Sequence, residues 1–79
     1  MQTQAEILFK VDKYLNKEIP SIALDLLKSV ALFELTPSEQ TRYYECWSKY
    51  MHLMGDIDGY KKNKDKADGI KTFIQNYSS

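Results

Sequence analysis

Cysteine and histidine each occur once in this 79-residue chain, proline twice and glycine three times. With Cys46 alone no disulfide can close within the chain, and a lone thiol fits a reducing compartment. The three glycines, Gly55, Gly59 and Gly69, form no phosphate-cradling loop. No stretch alternates apolar and polar residues with period two, so the sequence offers no β-strand. No apolar run approaches the roughly 20 residues of a membrane-spanning helix, and MQTQAEILFK has neither a basic lead nor an apolar stretch of signal-peptide length. The expected location is cytoplasmic, with no membrane partner.

Charge of one sign is also missing. Eleven basic residues balance eleven acids, so the strongly basic footprint of a nucleic-acid-binding domain is absent. The halves differ slightly: residues 1–40 hold four lysines and six acids, residues 41–79 seven Lys/Arg and five acids. This asymmetry suits two copies meeting head to tail, and a homodimer is the expected assembly.

What the chain does contain is an ordinary globular mixture, 43% hydrophobic and 28% charged, enough for one small domain. The segment Thr36–Asp56 organises it. Thr36 caps a helix, Pro37 fits the first turn where its missing N–H is not needed, and Glu39 stands at the capping-box position. Gly55 supplies the left-handed turn that ends it. Tyr43, Tyr44, Cys46, Trp47, Tyr50, Met51, Leu53 and Met54 cover nearly half the circumference, so this helix should have neighbours on both flanks.

Before it, Ile7, Leu8, Val11, Tyr14 and Leu15 recur at helical spacing from about residue 3 to 16, with Phe9 on the opposite side. Pro20 starts a second helix whose apolar residues continue to Leu35, which predicts the most buried element and an end imposed by Pro37. After Gly55, Asp56 or Asp58 caps a fourth helix to about Tyr77. The sequence therefore predicts an all-α fold, a single domain over 1–79, with four antiparallel helices at about 3–16, 20–35, 37–54 and 57–77.

Setting Glu18-Ile19-Pro20-Ser21-Ile22-Ala23 over Gly55-Asp56-Ile57-Asp58-Gly59-Tyr60 aligns the two halves at an offset of 37 residues. The pattern resembles the tetratricopeptide repeat, whose period is about 34 residues. Tyr44, Trp47, Ser48, Met51 and Ala67 match its preferences in the second unit, and Tyr14, Ala23, Leu27 and Val30 in the first. Lys10, Tyr60 and Lys64 depart from it. The resemblance implies two TPR-like helical hairpins and a non-enzymatic protein-interaction module, an adaptor or regulator. The tail LMGDIDGYKKNKDKADGI is also similar to the C-terminal helical repeats of Rgg- and PlcR-type peptide-sensing bacterial regulators, which implies as an alternative a peptide-binding or regulator-inhibiting fragment.

Chemistry finds little footing. Cys46 and His52 fall on different helical faces, which suits a small buried hydrophobe and a solvated histidine better than a nucleophile pair. Asp56-Ile57-Asp58-Gly59 lacks the further oxygen ligands of a calcium loop, Tyr60 and Lys61 standing in their place. No catalytic residue, cofactor or metal is expected. The lysines from Lys61 to Lys71 wrap around their helix and read as a solvated face, leaving a nucleic-acid-associated factor as a further alternative. Aromatic residues are the strongest positive feature. Six tyrosines, three phenylalanines and a tryptophan exceed what so small a core can enclose. Trp47 and Tyr50 are expected in the core; Phe9, Tyr43, Tyr44, Tyr60, Ile70, Phe73, Ile74 and Tyr77 are the candidate partner interface, for a protein or peptide.

Overall fold

The computed structural model describes residues 3–77, which form four α-helices: α1 (Gln4–Asn16), α2 (Pro20–Ser29), α3 (Pro37–Leu53) and α4 (Ile57–Tyr77). A single 3₁₀ turn, Leu32–Glu34, interrupts the connection between α2 and α3, and no strand occurs among the described residues. The starts follow local chemistry. Thr3 accepts a hydrogen bond from the Glu6 N–H at the head of α1. At the head of α3 the capping box is complete: the Thr36 hydroxyl accepts from the Glu39 N–H at 3.2 Å, and the Thr36 N–H donates to Glu39 Oε1 at 2.9 Å. Asp56 Oδ1 accepts from the Gly59 N–H at the entry to α4.

α1 and α3 end alike. After α1, Ile19 N–H donates to the Tyr14 carbonyl and Glu18 N–H to the Leu15 carbonyl; after α3, Asp56 N–H donates to Met51 and Gly55 N–H to His52. These are the paired bonds of the Schellman motif. They require a left-handed residue, supplied by Glu18 at φ 59° and Gly55 at φ 81°.

α2 is shorter than its apolar pattern predicts. It stops at Ser29 instead of continuing to Leu35, and Val30 is extended. Two interactions replace the helical ones: the Ser29 hydroxyl donates to the Leu26 carbonyl at 2.6 Å, and the Ala31 N–H is taken by Gln4 Oε1 of α1 at 3.1 Å. Leu35 is buried at the far end of this connection, whereas Phe33 projects outward, 88% exposed. α2 is accordingly not the most enclosed helix. It buries Ala23 and Leu27, whereas α1 buries Leu8, Val11 and Leu15.

The core joins Val11 and Leu15 of α1, Ala23 and Leu27 of α2 and Cys46 of α3, with Tyr43, Trp47 and Tyr50 packed against it. α3 is the hub, packing on α1, on α2 and most extensively on α4. On α3 and α4, Thr41, Ser48 and Ala67 are buried, Thr41 beside Lys71 and Ile74 of α4, and both hydroxyls are satisfied by carbonyls of their own helix, Pro37 and Glu45. The molecule measures 38 × 34 × 18 Å, a slab about two helices thick. No helix among the described residues is long and apolar enough to cross a membrane.

Candidate interaction surfaces

Two flanks of α3 carry concave surfaces of different chemistry. Where α3 meets α1, a cleft of about 360 Å³ is lined by Phe9 and Asp12 from α1 and by Arg42, Glu45, Cys46 and Lys49 from α3. Its rim is charged and partly paired. Lys49 bonds Asp12 across α1 and α3, and Lys71 bonds Glu45 across α4 and α3 at 2.8 Å. Each lysine is held above its ordinary pKa, first by the hydrogen bond to its carboxylate. Arg42 forms no ion pair among the described residues. Phe9 stands at the mouth of the cleft, 66% exposed.

Cys46 lies at the cleft floor, only 2% exposed, its Sγ 4.0 Å from the Leu8 carbonyl. Burial pushes its thiol up to about 12, with the Asp12 carboxylate adding to the effect. A thiol so held stays protonated at neutral pH, the state that suits packing. His52 is exposed on another face, its ring 5.4 Å from that of Tyr60.

The opposite flank is apolar. Between α3 and α4 a groove of about 580 Å³ is lined by Pro37, Gln40, Tyr44, Lys66, Gly69, Ile70 and Phe73. The Lys66 ammonium lies 5.3 Å from the Tyr44 ring centroid, over its π face, and the Phe73 ring packs on Tyr77 with centroids 4.5 Å apart. A shallower hollow continues the groove toward the α2–α3 connection, sharing Tyr44 and Lys66 and adding Leu32, Trp47 and Met51.

The sequence-predicted surface residues are thus dispersed. Tyr44, Ile70 and Phe73 come together in the groove, with Tyr77 beside Phe73, 78% exposed. Tyr43 is half-buried and packs on the core cluster, edge-on to Trp47. Ile74 is half-buried beside Thr41 and Lys71. Tyr60 sits at the other end of α4, between His52 and the Lys64 ammonium. Phe9 is alone on the α1 side. Sequence reasoning overlooked Phe33 and Leu32, because a helix continued to Leu35 would have enclosed them, and it overlooked Lys66 and Gly69 as groove residues. Among the described residues no three His, Cys, Asp or Glu side chains converge as metal ligands.

Compared with known proteins, the chain matches no family model, no curated protein and no solved structure.

Proposed function

We propose that this chain is a small, non-enzymatic, cytoplasmic interaction module of two TPR-like antiparallel hairpins, acting as an adaptor or regulator of a protein partner. One observation carries the reading: large aromatic side chains lie at the surface on both flanks of α3, Phe9 on one, Phe73 and Tyr77 on the other. Exposed in the monomer they add little to its stability, whereas desolvated by a partner they become anchors. Because the flanks are separate and differ in polarity, two partners can be held at once, which is what an adaptor requires. The hairpin description draws support from the twin Schellman endings at a spacing of 37 residues and from the packing of α3 on both α1 and α2.

A second reading is favoured by the α1–α3 cleft. Its exposed phenylalanine beside Arg42, which forms no ion pair among the described residues, suits a short peptide with an apolar residue next to a carboxylate. Affinity capture from extracts of the source cell, with wild type, Phe9→Ala and Phe73→Ala as parallel baits, tests both. The expected result is a partner retained in near-stoichiometric amount by wild type and lost with one variant while both variants keep the wild-type melting temperature. Capture insensitive to both substitutions would overturn the assignment of these flanks.

A further inference from the structure

We propose that the α3–α4 groove is the docking site for a second copy of this chain, which inserts Phe33 into the groove and sets Glu34 against Lys66, reciprocally in both directions. The inference rests on the interaction-module reading and names the partner of one flank. Phe33 is the most exposed large apolar side chain of the described residues. It is presented by an ordered turn: the Glu34 N–H bonds the Ala31 carbonyl at 3.0 Å, the Leu35 N–H bonds the Leu32 carbonyl at 3.1 Å, and Leu35, which follows the turn, is buried. An aromatic carried on an ordered backbone has only its own two side-chain torsions to lose when it is covered, which suits an interface anchor.

The groove is the complementary half. Tyr44, Ile70 and Phe73 give it apolar walls, and Lys66 places a cation at its edge. Glu34, next to Phe33, forms no ion pair among the described residues. Position decides the occupant. Leu32, adjacent to Phe33 in the 3₁₀ turn, lines the hollow that runs into the groove through Tyr44 and Lys66. Through Leu32 the turn that carries Phe33 and Glu34 adjoins the groove, with the acid on the turn and the base in the groove. A two-fold axis between turn and groove lays each turn over the other copy's groove and pairs Glu34 with Lys66 twice. This self-complementary order is what an isologous interface demands, and it follows the slightly acidic first half and slightly basic second half of the chain.

Sedimentation equilibrium from about 1 to 200 μM tests this, with an expected Kd on the order of 10 μM for so small a contact. Phe33→Ala should raise Kd by about tenfold or more. Glu34→Lys and Lys66→Glu should each weaken self-association, and mixing the two variants should restore a dimer, because the reversed charges then meet with opposite signs at both contacts. All three side chains are exposed, so in dilute solution Phe33→Ala and Glu34→Lys should melt like wild type and Lys66→Glu should lose only its contact with Tyr44. A wild type monomeric throughout the range, a Phe33→Ala variant that dimerises like wild type, or failure of the mixture to associate would each overturn self-docking. Loss of a captured partner by Phe33→Ala alongside a strictly monomeric wild type would assign the groove to that protein instead. None of these outcomes touches the capture experiment on Phe9, so the two proposals fail separately.

Discussion

Glu18 and Gly55, 37 residues apart, occupy the same left-handed position in two superimposable helix endings, one after α1 and one after α3. Only glycine adopts that conformation without a steric penalty from Cβ. Substitutions at the two positions should have opposite signs. Gly55→Ala should destabilise by about 1 kcal/mol, entirely through the backbone, since an added Cβ would meet nothing within 4 Å. Glu18→Gly should stabilise by up to about 1 kcal/mol. Urea unfolding of both variants checks the pair.

The core should answer to volume. Leu27 is 1% exposed and central to the α1–α2–α3 cluster, so Leu27→Ala should cost about 2 to 5 kcal/mol. Trp47→Ala should cost about 3 kcal/mol. Its ring is half-buried but packs edge-on against Tyr43 and Tyr50, with centroids 6.3 and 5.7 Å away. A domain of this size has about 4 to 12 kcal/mol available, so either variant should melt far below wild type in calorimetry.

Alkali should destabilise the protein through Cys46. Its folded pKa, about 12, lies above an ordinary thiol's, so its contribution is fully present below pH 9. It is lost as pH rises from about 9 through 12, by up to about 4 kcal/mol. Lys49 and Lys71 are raised in the same direction, but both side chains are about half-exposed, so their share is small. Stability measured against pH should fall above pH 9 in wild type and much less in Cys46→Ala. The thiol should resist alkylation at pH 8 until the protein is denatured.

Lys61, Lys62 and Lys64 are exposed on α4. Changing all three to glutamate should leave the fold intact, and wild type should show negligible binding to mixed duplex or single-stranded DNA at physiological salt. Micromolar binding with a steep salt dependence, measured by fluorescence anisotropy, would put nucleic acid ahead of protein as the partner.

The starts of α3 and α4 and the end of α3 were legible in the sequence because their determinants are local: Thr36 with Glu39, Asp56 with Gly59, and the left-handed Gly55; the matching end of α1 rests on Glu18, a residue type that does not announce a left-handed turn. The end of α2 was not legible. From Leu24 to Leu35 the chain has neither glycine nor proline, and an apolar run of that kind looks alike in a helix and in a packed irregular segment. What ends α2 is partly distant, the Gln4 side chain holding the Ala31 N–H from another helix. That one misjudged boundary hid Phe33. The aromatic surface was legible as a list of residues, but its division between two flanks depends on which side of α3 each neighbour takes. Spacing along one helix cannot supply that information.

The seam between α3 and α4 includes small buried side chains, two of them hydroxylated, and among the described residues the main core cluster contains no residue of α4. Opening it would wet Thr41, Ser48 and Ala67 while leaving Val11, Leu15, Ala23 and Leu27 enclosed. α4 should therefore open ahead of the other three helices, wetting its half-buried Tyr60, Ile70 and Ile74 as it does so. Its amides should exchange with solvent deuterium well before those of α1, and a second copy seated across both helices would close that difference.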